Sequence, residues 1–194
     1  MRPLLLLTFF VGCFQLLTAQ TATTKTKQPK QKGNLNCVHK EKFSTAERNR
    51  FYPFEVTSTV QLVSFRYHEN DYPIKHSSVT KDSLIEFKTL SQSQTATLTD
   101  ILYNNFYKKQ PNYALSTQCF IPRNAILFLD QSGHMTDYIL ICFHCDTHKE
   151  SSNKINFGDE CSEKMEKLRQ FFVSLGVKFG TDKDLQKYPG ESFE

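Results

Sequence analysis

"NAILFLDQSGHMTDYILICF", residues 124 to 143, sets two apolar runs rich in branched and aromatic side chains around "DQSG". Apolar runs of strand length either side of a short polar stretch that opens on Asp130 and closes on Gly133 predict a β-hairpin. On its second strand, alternation places Ile139, Ile141 and Phe143 on one face and Tyr138, Leu140 and Cys142 on the other. Downstream, "KINF" suggests a short edge strand. A last helix is expected from Asp159, as its cap, through "ECSEKMEKLRQFFVSL" to a stop at Gly176. Met165, Leu168, Phe172 and Leu175 form its apolar stripe, and Cys161, one turn earlier, is expected to face the core.

The first half has the same order. "EVTSTVQLVSFRYH" alternates like a strand, "ENDYPIKHSSVTKD" is a polar loop, and "SLIEFK" is a second short strand. In "LSQSQTATLTDILYNNF" the period becomes helical, with Leu98, Ile101, Leu102 and Phe106 on one face and Ser91 or Ser93 as the cap. Ser44 and Glu47 form a capping-box pattern that starts a short helix, closed by Pro53. Two rounds of strand, strand, helix predict an α+β fold, an antiparallel sheet with two main helices on one face. The rounds suggest a duplication in order, since they do not share letters.

At the amino end, "MRPLLLLTFFVGCFQLLTAQ" has a basic residue, an apolar run of about 15 residues and a small-residue site, which predicts a cleaved secretory signal over residues 1–19. Spanning a bilayer takes roughly 20. Acylation at Cys13 conflicts with the apolar run continuing through Leu16 and Leu17. Residues 20–33, carrying Lys25, Lys27, Lys30 and Lys32 with no acid, are expected to be a flexible basic arm. A single domain is expected over residues 34–178, with a loose polar tail from 179 to 194. Without the signal, 23 basic residues stand against 20 acidic ones, too mild a balance to argue for nucleic acid. No transmembrane segment is expected after cleavage, and the mature chain is expected to be secreted or periplasmic, where disulfides are the default fate of cysteine.

Five cysteines remain after cleavage: Cys37, Cys119, Cys142, Cys145 and Cys161. An odd number leaves at least one thiol free or bonded to another chain. Structural bridges are favoured, with Cys161 tied to Cys142 or Cys145 and Cys119 as the second partner. On that pairing Cys161→Ser is expected to destabilise strongly and Cys37→Ser to do little. The alternative is zinc held by Cys142, Cys145 and Cys161 with Cys119, His144 or His148. A redox CxxC needs a helix directly after it, and "DTHKESSNKINFG" has no helical period. Asp146 stands where haem attachment needs histidine. Cys145 with His148 imitates a nucleophile and base, without a third group to orient them. His68, Glu69, Asp71 and His76 gather in one loop that reads as solvated, and Arg123 reads as a surface-loop residue.

"CFIPRNAILFLD", "YILICFHC" and "GDECSEKMEKLRQFF" resemble a group of small exported bacterial proteins carrying C-x-x-P-R-N-A-I and I-C-F-x-C, over about residues 118 to 177. The resemblance implies that Cys119, Cys142, Cys145 and Cys161 form one constellation with Cys37 apart, and it implies no activity. No nucleotide, metalloprotease or hydrolase fingerprint occurs. The favoured reading is a non-catalytic, disulfide-stabilised envelope or secreted binding module with a protein partner and no cofactor. A thiol-redox or zinc-dependent protein using Cys142, Cys145 and Cys161 is the alternative.

Overall fold

The hairpin at residues 124–143 lies inside a five-stranded antiparallel sheet in a computed structural model that describes residues 34–67, 73–75, 78–111 and 119–184. In chain order the elements are β1 (Asn34–His39), α1 (Thr45–Arg48), β2 (Thr59–Phe65), β3 (Ile74–Lys75), β4 (Ser78–Val79) and β5 (Leu84–Thr89). They continue with α2 (Gln92–Tyr103), β6 (Asn105–Lys109), β7 (Asn124–Leu129), β8 (Met135–Cys142), β9 (Thr147–Glu150) and α3 (Lys164–Ser174). The signal, the arm, and His68, Glu69, Asp71 and His76 lie outside the described residues, while the segment expected as a polar loop between the first two strands carries the β3–β4 ribbon. Among the described residues no helix is long and apolar enough to cross a membrane.

The sheet runs β5-β2-β7-β8-β9, every pairing antiparallel. The turn between β7 and β8 is held by Asp130, whose Oδ1 accepts the N–H groups of Ser132 and His134 at 2.8 and 2.9 Å. This is the local side-chain bonding that makes Asp a turn residue, and Gly133 completes the turn at φ 78°. Alternation then sorts the faces. Val60, Leu62, Ile126, Phe128, Ile139 and Ile141 pack with Leu98 and Leu102 of α2 and with Met165, Leu168 and Phe172 of α3. Both longer helices therefore cover one face, and the fold is α+β. Val63, Phe65, Ala125, Leu127 and Leu140 line the second face, where Ile74 and Val79 of the β3–β4 ribbon pack on them. In the sheet, β2 and β5 precede α2 and β7 and β8 precede α3, but β3 and β4 interrupt the first run and β9 the second.

Three elements differ from the sequence reading. The helix expected to include Phe106 stops at Tyr103, because Asn105 Nδ2 bonds the carbonyls of Asp100 and Ile101 at 3.2 and 3.0 Å, and Asn104 bonds Phe43. Such side-chain bonds compete with helix continuation. The freed segment becomes β6 and pairs with β1 in a separate ribbon. The edge strand is "THKE" rather than "KINF", since Cys142 pairs Thr147 straight across a four-residue turn. Ile155 and Phe157 of "KINF" instead bury in the helix-side core. Asp159 does not cap α3; its carboxylate accepts the Tyr107 N–H at 2.9 Å, and the helix starts at Lys164.

The chain also stays with the domain past residue 178. Lys178 and Phe179 donate their N–H groups to Glu86, each at 2.8 Å, and Asn124 Nδ2 donates to the Phe179 carbonyl. Gly180, at φ 78°, passes so close to Arg123 that an added Cβ would lie 2.4 Å from the Arg123 Cβ. Arg123, expected on the surface, is buried.

Cys161 bonds Cys37, and not Cys142 or Cys145. The reason is β1, a strand with too little pattern to be read locally, which brings Cys37 beside the chain entering α3, where Ser162 donates its N–H to the Leu35 carbonyl at 2.8 Å. This bridge spans 124 residues and the Cys119–Cys145 bridge 26. In the chain-entropy picture those loops contribute about 5 and about 3.5 kcal/mol. Cys37→Ser and Cys161→Ser are therefore expected to destabilise alike, and each more than Cys119→Ser, in urea melts of the oxidised protein. A silent Cys37→Ser would contradict this.

Candidate functional site

The two bridges flank one cavity. At the end of β8 the chain turns through residues 143–146, with Asp146 at φ 51°, and Cys145 bonds Cys119 there. Cys142 stays reduced and 1% exposed, its Sγ accepting N–H groups from Cys145 at 3.2 Å and Ile121 at 3.4 Å. The sulfurs of Cys119, Cys142 and Cys145 lie within 4.8 Å of one another. Burial pushes the Cys142 thiol above its usual range, outweighing the two N–H groups and the nearby Arg123 charge. A thiol so held is a poor nucleophile at neutral pH.

The expected partners of these cysteines point elsewhere. His144 Nδ1 is 2.6 Å from the Lys183 carbonyl oxygen, and Lys183 Nζ pairs Asp146 at 2.7 Å. His148 lies flat on Phe157 with ring centroids 3.6 Å apart. Its Nε2 is 3.4 Å from Glu160 Oε1, and its Nδ1 is 3.0 Å from Glu150 Oε1 in a bent contact that gives the nitrogen no aligned hydrogen bond. The set Cys142, Cys145, Cys161, His144 and His148 is thus divided: Cys161 is bonded to Cys37, and both histidines bind other partners. Cys145 is in a disulfide and is not a nucleophile paired to His148.

The cavity, about 370 Å³, is lined by Cys145, His148, Phe157, Glu160, Cys161 and Lys164 among others. Pattern reading assigned Lys164 no role, although it is wholly buried. Its Nζ donates to the carbonyls of Leu102 at 2.6 Å and Phe157 at 3.1 Å, joining the end of α2 to the loop before α3. Burial pushes its pKa down to about 8 against the pull of Asp159 and Glu160. Gly158 lets it in: a Cβ there would lie 2.4 Å from the Leu102 carbonyl oxygen and 2.9 Å from Nζ.

A different surface lies at the other end of the sheet. Among the described residues Val56, Ile85 and Phe87 are the exposed large apolar side chains, and Phe87 is 70% exposed on the edge strand β5. Phe87 lies opposite Val63, on the second face, while Glu86 and Lys88 lie opposite Ser64 and Leu62, on the helix side. The Leu90 N–H bonds the Val60 carbonyl, so by antiparallel alternation Glu86 and Lys88 turn their backbone groups to β2. Phe87 and Thr89 turn theirs outward. Beside them a groove of about 600 Å³ is lined by Val79, Leu84, Phe87, Leu129 and Met135 with polar neighbours. The alternation of "SLIEFK" carried the signal for this face, but which side was covered depended on elements distant in the chain.

Cys142 is expected to resist iodoacetamide in the native protein and to react fully once urea unfolds it, read by intact mass. Fast native labelling would contradict its burial. The His148 cluster gives a pH signature. Burial lowers the imidazole pKa, but Glu150 and Glu160 outweigh it and raise it overall; His148 in turn lowers both carboxyls, against the burial of each. The imidazolium's contribution is complete below about pH 6.5 and is lost as pH rises through the raised folded value. The carboxylates' contribution is complete above their ordinary 4.5 and lost as pH falls through the lowered values. The stability gap between parent and His148→Gln, from urea midpoints, is therefore expected to be largest between these limits and to shrink on the alkaline side.

Comparison with known proteins gives no match, whether to family models, to curated proteins or to solved structures.

Proposed function

We propose that the chain is an exported, non-catalytic binding module that docks a protein partner on the open edge of β5 and the apolar groove beside it. The observation that carries this reading is Phe87, 70% exposed on a strand whose Phe87 and Thr89 backbone groups point away from the sheet. An extended segment laid along such an edge gains main-chain hydrogen bonds, and alternate side chains reach the groove. Export is supported by the residue 1–19 pattern and by two disulfides, which persist in oxidising compartments. Against catalysis by the cysteines stands their use: four are bonded and the fifth is buried with a raised pKa.

A thiol-exchange reading has one observation in its favour, the contact of the Cys142 thiol with the Cys119–Cys145 bridge. Cys142 as thiolate would attack Cys145 Sγ, forming a Cys142–Cys145 bond and releasing Cys119 as thiolate, which takes the proton. The resistance of Cys142 to alkylation separates the two readings.

Docking is tested with fluorescein-labelled peptides of alternating branched and polar residues, followed by anisotropy against dilute, disulfide-intact protein. Saturable binding is expected, weakened about tenfold or more by Phe87→Ser, the scale set by burying one phenylalanine, and abolished by N-methylation of alternate peptide amides. Failure of every such peptide to bind would remove the reading.

A further inference from the structure

Resting on that docking reading, we propose that the strand received by β5 is β5 of a second copy of this chain, paired antiparallel about a two-fold axis at Phe87. The backbone sets which registers are open. Phe87 and Thr89 turn their N–H and C=O groups outward, so odd-numbered residues must face odd-numbered residues across the dyad. Centring the pair on Phe87 joins its N–H and C=O to those of its counterpart.

Charge then selects among the registers. Centred on Phe87, Glu86 of each copy lies directly opposite Lys88 of the other, so one strand supplies both halves of two opposite-charge pairs. A slip of two residues either way sets Glu86 against Glu86 or Lys88 against Lys88. Both slips are repelled. The Glu86 carboxylate is fixed by its own chain, its Oε2 accepting the Ser64 hydroxyl and the Lys178 and Phe179 N–H groups, so Lys88 of the second copy is the side chain that reaches across. On the second face the two Phe87 rings meet, which covers the most exposed large apolar side chain among the described residues. Such an isologous contact closes on itself and ends the assembly at two copies.

Sedimentation equilibrium of the secreted, oxidised protein is expected to show a monomer–dimer equilibrium. Lys88→Glu and Glu86→Lys are each expected to weaken the dimer about tenfold or more, because both opposite-charge pairs become like-charge ones. An equimolar mixture of the two variants is expected to regain it, since one chain then carries an acid at both positions and faces a base at both positions of the other. Circular dichroism checks that Glu86→Lys has folded despite losing its internal bonds. If it has not, Phe87→Cys replaces it, with a covalent dimer expected under mild oxidation and its absence counting against the pairing. A dimer unmoved by Lys88→Glu, or a mixture of folded variants that stays monomeric, overturns the proposal. A parent that stays monomeric yet binds the alternating peptides overturns self-pairing and leaves the docking edge standing, whereas a parent that does neither loses both.

Discussion

All six residues of β7 are buried, and that two-sided burial is the constraint on which the rest of the structure depends. A strand apolar on both faces cannot sit in a sheet with one wet side. One face of β7 is covered by α2 and α3, the other by the β3–β4 ribbon with Phe120 and Tyr138. Across the sheet, perpendicular to the strands, β2 and β8 take its hydrogen bonds. The edges of the sheet fall to β5, which alternates apolar and polar residues, and to β9, whose sequence THKE is polar throughout.

Covering the helix face leaves polar groups stranded, and buried side chains answer them. Lys164 supplies donors to two carbonyls, and Asn105 supplies donors to two at the end of α2. Arg48, also buried, donates to the Phe43 and Ala96 carbonyls and the Thr99 hydroxyl. A buried carbonyl left unbonded costs about 1–3 kcal/mol, so these side chains matter as much to the loops as the apolar stripe does to the helices. Through the Phe157 carbonyl, Lys164 also helps to hold residues 151–163, which have no ladder of their own.

The cysteines follow the same logic of tying irregular chain to regular elements. Cys37–Cys161 anchors the β1–β6 ribbon to the entry of α3, and Cys119–Cys145 anchors the segment before β7 to the turn after β8. Between those anchors the His148–Phe157 stack and its carboxylates fill the side of the cavity. The chemistry of "CFHCD" is thereby divided between a bridge, a buried thiol and a histidine bound to the tail. The exposed apolar surface of Phe87 lies on the opposite edge of the sheet, on β5.

Local physics was legible in the letters. Alternation marked β2 and β8, and a short strand pattern marked β5; two apolar runs about the Asp130–Gly133 turn marked the β7–β8 hairpin; the helical period marked α2, with Ser91 or Ser93 offered as its cap and Ser91 filling that place; and Ser44 with Glu47 marked α1. These signals act within about five residues, which is why the α+β class, with both longer helices on one face, followed from sequence. Whatever depended on two distant segments did not. β1 and β6 define each other by pairing Val38 with Phe106, neither strand being recognisable alone. The partner of Cys161 was decided by that pairing, 124 residues away. Arg123 is buried because Gly180 crosses over it, and Phe87 stays exposed because no described element crosses over β5. Propensity and periodicity are properties of neighbours along the chain, whereas burial and crosslinking are properties of neighbours in space, and only the tertiary structure supplies those.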